Sequence, residues 1–532
     1  MNEGLLKYRG YLFLTEFLCG MSVMAVELGA SRLLAPYFSS SQIVWTIIIA
    51  TIMIAMALGN VYGGRSADRN PDPDRLYRRI LLAAVWTAAI PFLGRYVILG
   101  ITGILVMTVN RNFLTLAAFA ACMVIFVFPC FLLGTCTPSL ARYTVSGADD
   151  SGRTVGALGA FNTVGSIIGT FLPTFVTIPA VGTAVTFLIF SGVLLLTAIL
   201  YFVFRGTGKR ASLSAAVLFT VFSVLGSRAG FAFWEQNLLY EGESIYNYLQ
   251  VKDSETSTIL STNVLFGVQS IRMKNGNLTG MYYDYALAAP VMAGRTAGAD
   301  GNAKILILGM GTGTFAEQCR KYFAGADIRG VEIDSRITEL AERYFGAPDD
   351  VVTETFDGRA WLTFDSAKYD VIMVDAYQDI TIPFQMSSAE FFRSVRSHLA
   401  PGGIMVVNMN MRSSSPDGIH VWLEDTIASV FPHVMTMDVP GSTNRELFAS
   451  ETEIDGALLR NRAASAGNAE LTELMMREAD LLTPYEGTGT HILTDDKAPV
   501  ELLGMRAIDG IIREELRYYK EVLRTEGIGG LL

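Results

Sequence analysis

The residues of this chain that could do chemistry together are glycines and carboxylates placed at the ends of short apolar runs. Directly after the run at 304–308 the chain reads Gly309-Met310-Gly311-Thr312-Gly313-Thr314. Glycines at a strand-to-helix turn let the backbone approach a ligand closely. Alternating glycines alone can equally make a tight structural turn; acidic residues further along the chain favour the ligand. Glu332 and Asp334 close a second apolar run, about 20 residues on, where a carboxylate accepts hydrogen bonds from ribose hydroxyls. Asp357-Gly358 follow a third run, in reach of an adenine edge, and Asp375 closes a fourth. Open α/β sheets bind ligands in the crevice at their strand carboxyl ends. The pattern predicts a nucleotide site with Gly309, Gly311, Gly313, Glu332, Asp334, Asp357 and Gly358 on the cofactor, and Asp375 at the ligand crevice. No metal is expected. His398, His420, His433 and His491 are dispersed without ligand spacing, and the five Cys form no Cys-x-x-Cys pair.

The elements that must position these groups alternate. Strand patterns at 304–308, 328–333, 370–374 and 403–407 are separated by helical patterns to 323, at 336–345 and at 389–399. Such alternation predicts an open, mostly parallel α/β sheet of the Rossmann-like kind. Upstream, β-rich runs at 245–251, 258–261 and 268–272 predict a small subdomain, and Asn275-Gly276 is a hairpin signal.

Composition divides the chain. Of 532 residues, 51% are hydrophobic and 17% charged, low against the roughly 25% usual for soluble chains. Residues 1–234 carry 16 Lys and Arg against 8 Asp and Glu; the remainder carries 25 against 43. The first half is therefore net basic and the second net acidic. Apolar runs at 11–34, 43–63, 80–101, 113–133, 155–176 and 184–204 are long enough to cross a bilayer. A seventh at 212–233 is weakened by Ser, Thr and Arg228. The expected organisation is a transmembrane domain at 1–234, a β-rich subdomain at 235–292 and an α/β domain with a helical extension at 293–532. Basic residues follow the second, fourth and sixth runs, which places the amino terminus in the cytoplasm. A cytoplasmic soluble part is expected, and it needs an even number of spans. Either 212–233 does not cross, or 80–109 holds two short spans. Glu16, Glu27 and Arg32 lie at membrane depth, where charges mark a wet path or an internal ion pair. Gly165-x-x-x-Gly169 suits close helix packing.

Several of these segments resemble a known family. The segment 306–314, Val331-Glu332-Ile333-Asp334, Asp357-Gly358-Arg359 and 369–375 resemble the S-adenosylmethionine-type fold of the spermidine synthases. Ile382-Pro383, Glu390-Phe391 and Leu399-Ala400-Pro401-Gly402-Gly403 continue the likeness, as does the strand at 246–251 leading to Gln269. In the apolar half, 27–36, Ser41 to Trp45 and Asn162-Thr163-Val164-Gly165 are similar to bacterial membrane-fused spermidine synthase-like proteins. So is the late segment Thr494-Asp495-Asp496-Lys497-Ala498-Pro499-Val500-Glu501.

The resemblance implies an aminopropyltransferase that moves an aminopropyl group from decarboxylated S-adenosylmethionine to putrescine or a related amine, releasing methylthioadenosine. It implies Glu332 on the ribose, Asp357 on the adenine and Gln269 on the nucleoside. Asp375 becomes the proton acceptor and amine anchor, with Tyr282, Asp284 and Asp379 as further substrate contacts. The chemistry is coherent: only a neutral amine attacks a sulfonium carbon, and an alkylamine of pKa about 10.4 must first lose a proton.

The sequence departs from the family where the amine is recognised. The family loop carries an Asp that holds the aminopropyl amine; here that position is Thr312. Asp284 is a shortened Glu, and Asp379 lies one position late. A methyl or aminocarboxypropyl transferase using S-adenosylmethionine itself therefore stands as an alternative, because a Thr hydroxyl tolerates that donor's carboxylate. A non-catalytic polyamine or nucleoside transporter or sensor is a third reading, motivated by Glu16, Glu27 and Arg32. The expected partners are a small polyamine and the lipid bilayer. No basic patch with interleaved aromatics suggests nucleic acid. The tail helix at 508–524 serves packing or a homodimer contact.

Overall fold

A computed structural model describes residues 9–526 except 39–40, 109–111, 146–147, 229, 265–266, 296–301, 348–349, 378–381 and 414. The chain forms two compact units, Met1–Glu235 with Gly242–Tyr248, and Gln236–Glu241 with Leu249–Leu532.

The first unit is a helical bundle: α1 (Arg9–Phe38), α2 (Gln42–Arg69), α3 (Pro73–Thr108), α4 (Phe113–Gly134), α5 (Cys136–Thr144), α6 (Ala148–Leu172), α7 (Ile178–Arg205) and α8 (Lys209–Gly226). Six segments are long and apolar enough to cross a membrane. One of them, Ser151–Arg205, has 55 residues, about 80 Å if it were straight, against a hydrocarbon core of about 30 Å. It is not straight. Gly182 leaves helical geometry at φ +79°, and the limbs on either side run in opposite directions along α1. Gly165 and Gly169 meet Phe17 and Met21, so α6 runs parallel to α1. Phe187 meets Gly29, and the Thr197 carbonyl accepts from Tyr11, so α7 runs antiparallel to it. Among the described residues the bundle thus has seven long limbs. The alternative of two short spans within 80–109 falls, because α3 is one helix of 36 residues running through Pro91. The weak segment 212–233 is helical only as α8, which ends at Gly226.

The small residues of α6 do the packing expected of them. A Cβ on Gly165 would lie 2.1 Å from the Phe17 carbonyl oxygen, and one on Gly169 equally close to that of Met21. Here α1 and α6 touch backbone to backbone. Glu16 is fully buried on α1, where Oε1 accepts from the Thr137 hydroxyl and from Asn162 Nδ2. Arg32 donates to the carbonyls of Ser244 and Ile245. The two ends of the bundle differ. At one, Arg9 bonds the Thr144 carbonyl, Arg142 pairs with Asp68 and Arg205 with Asp74. At the other, Tyr37 and Arg95 bond the carbonyls of Phe231 and Gly230, alongside the Arg32 contacts.

The second unit holds two sheets. β1 (Leu238–Glu243), β2 (Tyr248–Asp253), β3 (Ser257–Ser261) and β4 (Ser270–Met273) form the smaller, in that order. Asn275-Gly276 does turn the chain, with the Gly276 N–H on the Met273 carbonyl at 3.1 Å. The hairpin expected there does not form, because 277–281 lack strand alternation and lead into α9 (Tyr282–Ala286) and α10 (Ala288–Met292). The larger sheet contains β5 (Lys304–Leu308), β6 (Asp327–Glu332), β7 (Val352–Thr355), β8 (Tyr369–Val374), β9 (Leu399–Met409), β10 (His433–Asp438), β11 (Arg445–Ser450) and β12 (Thr483–Pro484). Its order is β12-β10-β11-β9-β8-β5-β6-β7. β7, β6, β5, β8 and β9 are parallel, as expected of a Rossmann-like half. β11, β10 and β12 extend it antiparallel, so the sheet is mixed rather than mostly parallel. Helices α11 (Thr314–Tyr322), α12 (Ser335–Leu340), α13 (Gly358–Phe364), α14 (Ala389–His398), α15 (Ile419–Ala428), α16 (Gly456–Ala463), α17 (Ala469–Glu478) and α18 (Val500–Glu526) complete the unit. One face of the sheet packs Ile305, Ile307, Met373, Val406 and Phe448 against α9, α10, α11, α16 and α17. The other packs Leu306, Val374, Val407 and Leu447 against α13, α14, α15 and α18.

The α1–α6 contact is testable. Gly165→Leu should lower the thermal midpoint of the detergent-solubilised protein by several degrees, since overpacking typically costs about 1–3 kcal/mol. Gly159→Leu, at a position with nothing within 4 Å, should leave it unchanged.

Candidate active site

One row of register crosses the carboxyl edge of the large sheet and collects the site. Thr355 pairs with Glu332. One step beyond the Leu308 pairings with Val331 and Val374, Gly309 lies between Glu332 and Asp375. One step beyond Val374–Val407, Asp375 lies beside Asn408. Asn408 pairs with Glu446. Side chains alternate between faces along a strand, so Glu332, Asp375, Asn408 and Glu446 share the face that α9, α11 and α17 cover.

The glycine turn is demanded from inside as well as by any ligand. Gly309 has φ +91°, and a Cβ there would sit 2.4 Å from the Asp375 carbonyl oxygen. Gly311 has φ +56° and would meet Ser270 Oγ at 2.5 Å. Gly313 caps α11 in the left-handed region. Glu332 holds the turn: Oε2 accepts from Gly311 N (2.9 Å) and Oε1 from Asp334 N (3.0 Å). An ionised carboxylate has about four lone-pair positions, so Glu332 retains acceptor capacity for ribose hydroxyls. Burial lifts its pKa to about 6, with the Asp334 charge adding to the rise and backbone N–H groups opposing it. Asp357 caps α13 through Ala360 N at 2.8 Å, which uses one of its oxygens. Gly358 opens that helix. These residues fit a nucleoside at the strand ends.

Asp375 is held from two sides. Tyr282 donates its hydroxyl to Oδ2 at 2.8 Å, and Asn408 donates Nδ2 to Oδ1 at 2.9 Å. Burial raises its pKa to about 7; the two donors pull it down and the Glu332 charge pushes it up. A cavity of about 230 Å³ opens over Tyr282 and Asn408, lined also by Gln269, Tyr377 and Asn444, with Ile508 and Ile511 of α18 along one wall. Asn444 continues the amide ladder, donating to Asn408 Oδ1 at 2.8 Å. Gln269 lines the cavity, and its carbonyl accepts from Tyr283 at 2.7 Å.

Two expected contacts, Asp334 and Asp284, are engaged elsewhere. Asp334 is 1% exposed and caps α12 through Arg336 N, so its carboxylate serves the helix. Asp284 accepts from Thr279 N and Oγ1, Gly280 N and Gln318 Nε2. One methylene shorter than the family Glu, it is drawn back onto its own turn and does not reach the cavity. Asp379 lies outside the described residues. Thr312 is 4% exposed, and its Oγ1 has no partner. Sequence reasoning missed Asn408, Asn444 and Glu446, although a polar residue inside an apolar strand is a readable signal. For Asp495-Asp496 the sequence left open a loop closing over the site and a helix-capping or surface role. Asp495 grips Arg359 with both oxygens (2.7 and 2.6 Å) and accepts from Ser388. The Arg359 charge holds its carboxyl at about 2. The late Thr-Asp-Asp-Lys segment is thereby tied to the residue that follows Asp357-Gly358. Among the described residues no group of three or more His, Cys, Asp or Glu could hold a metal.

Residues 290–440 match the family model described as "Spermine/spermidine synthase domain". A "probable polyamine aminopropyl transferase" of Bifidobacterium longum is 52% identical over 360 residues, covering 63% of this chain and 77% of that protein. The chain belongs to the polyamine aminopropyltransferase family. It is an enzyme, a transferase. A polyamine aminopropyltransferase of Vibrio vulnificus is 25% identical over 289 residues, 51% of this chain and 93% of that one. Among solved structures, a probable spermidine synthase from Corynebacterium glutamicum aligns at TM-score 0.37 with 22% identity, covering 47% of this chain and 96% of that one. In this aminopropyltransferase, removing the carboxylate that organises the glycine turn should weaken nucleoside binding. Glu332→Gln is expected to lower affinity for methylthioadenosine about 10- to 100-fold in calorimetry, the range of a hydrogen bond to a charged group.

Proposed function

We propose that the chain is a membrane-bound aminopropyltransferase that transfers the aminopropyl group of decarboxylated S-adenosylmethionine to putrescine or a related short diamine. The observation that carries this reading is the buried Asp375, held by Tyr282 and Asn408 at the mouth of the nucleoside crevice. An ammonium entering the cavity gives a proton to Asp375. The neutral nitrogen then attacks the methylene attached to the sulfonium sulfur. A C–N bond forms, the C–S bond breaks with its electron pair going to sulfur, and methylthioadenosine leaves as a neutral thioether. Burial makes the first step feasible. A carboxyl at about 7 rather than near 3.9 brings the proton transfer from an alkylammonium roughly 4 kcal/mol closer to balance.

Asp375 must be ionised to act, so the rate should climb as pH rises through about 7 and level off above it. Asp375→Asn should lower kcat by about 10²- to 10⁴-fold, the usual worth of a general base, and remove that rise. Methylthioadenosine release with putrescine is the assay. Wild-type activity that is flat from pH 5 to 9, or unchanged in the variant, would remove Asp375 from the mechanism. The unpartnered Thr312 hydroxyl favours one second reading, in which the donor is S-adenosylmethionine and its carboxylate takes that hydrogen bond. Release of S-adenosylhomocysteine instead of methylthioadenosine would establish methyl transfer.

The membrane reading is supported by the six long apolar segments and by seven limbs in all. The basic end of the bundle suits the cytoplasm. An odd number of passes then takes residues 230–235 out at the opposite side, in place of the cytoplasmic exit expected for an even number. Protease added outside intact spheroplasts should cut the transferase part; cleavage only after lysis would restore the cytoplasmic arrangement.

A further inference from the structure

Two ammonium groups of a diamine need two negative partners, and the family positions that would supply them are largely taken. Thr312 carries no charge, and Asp284 already accepts four donors. Two other carboxylates on the same side of the sheet have no such duties. Glu446 on β11 is 0% exposed, and neither of its oxygens has a hydrogen-bond partner. Glu478, the last residue of α17, is 1% exposed, and neither of its oxygens has one either. Native structures leave few buried polar atoms unpaired, and each such case calls for an explanation. A Gln or Met at either position would avoid the desolvation penalty of a buried carboxylate.

Their placement supplies the explanation. Glu446 pairs directly with Asn408, which lines the cavity and bonds Asp375. Glu446 lies two strands from Asp375 on one face of the sheet, about 10 Å at the backbone, a span that a short aliphatic diamine bridges with its ends on two carboxylates. Glu478 stands behind it within electrostatic range of both Glu446 and Asp284. The charged and titratable neighbours are Asp375 for Glu446, and Asp284, Arg477 and Tyr285 for Glu478. Arg445, adjacent in sequence, bonds Asp438 and Glu424 instead.

We propose that Glu446, backed by Glu478, forms a second amine subsite that receives the ammonium group of the acceptor remote from Asp375. The ligand class is an aliphatic diamine or polyamine, and this deepens the aminopropyltransferase reading on which it rests. An entering ammonium brings three N–H donors and one charge to oxygens that lack both. With no amine bound, burial lifts both carboxyls well above their ordinary range. A carboxyl raised in the folded state loses its contribution to stability as pH climbs through its folded value. Glu446→Gln should therefore melt no lower than wild type at pH 8, which identifies any lost binding as a loss of the subsite and not of the fold.

The test is calorimetry on the full chain in detergent with methylthioadenosine present, titrating butane-1,4-diamine against butylamine. Wild type should bind the diamine at least tenfold more tightly than the monoamine, and Glu446→Gln should erase that margin, roughly 10- to 100-fold. Glu478→Gln should reduce it, and this variant carries the test if Glu446→Gln does not fold. A margin absent from wild type, or unchanged in the folded variants, overturns the subsite. Turnover is read separately: absence of methylthioadenosine release by wild type fails the aminopropyl reading, whereas the binding margin stands or falls by itself.

Discussion

A carboxylate taken out of water must be matched by donors or by a cation, and the transferase unit is organised around meeting that demand at Asp375. Tyr282 reaches it from α9 and Asn408 from β9, and neither donor has a second route to it. Gly309 must lack a side chain because its Cβ would collide with the Asp375 carbonyl. The helical turn at 282–286, the register of β8 on β9 and the glycine at the end of β5 are thus different conditions on one buried group. The same burial that makes Asp375 expensive to ionise brings its pKa up to about 7. Two hydrogen bonds temper the shift without abolishing it.

The rest of the row divides according to how completely each acid is matched. Glu332 takes two backbone N–H groups and so holds the glycine turn in place. Asp284 takes four donors and is part of the scaffold. Glu446 and Glu478 take none. In the helical bundle Glu16 stands between these extremes, with Oε1 bonded twice and Oε2 unbonded. Complete matching marks structure, and absent matching marks places that await a partner.

The alternation of strands and helices from 304 to 407 was legible chiefly because β5, β8 and the 404–407 part of β9 are buried on both faces and read as continuous apolar runs. Strand β5 matches its expected bounds, and β6, β8 and α14 lie within a residue or two of theirs. The antiparallel extension was not legible. His433, Thr436 and Asp438 interrupt the apolar pattern that would have announced β10, and Arg445 and Glu446 interrupt that of β11. The Asn275-Gly276 hairpin failed for the opposite reason: a turn signal is local, but a hairpin needs a second strand to pair with. In the bundle, composition located the apolar runs, whereas Gly182 alone decides that a 55-residue helical segment doubles back.

For the site, the sequence by itself determined what is local. A glycine-rich turn after a strand, acids at strand ends and a helix after each are properties of adjacent residues, and they put Glu332, Asp357 and Asp375 at one edge. Only the tertiary structure decided what each acid does, because that depends on donors arriving from elsewhere in the chain. Asp284 is hydrogen-bonded by Thr279, Gly280 and Gln318, and Asp334 by Arg336 N, matches that spacing alone does not reveal. Arg359 meets Asp495 across 136 positions, and Glu446 joins Asp375 through the register of three strands. Sequence sets the types of groups available; folding sets which of them remain unmatched.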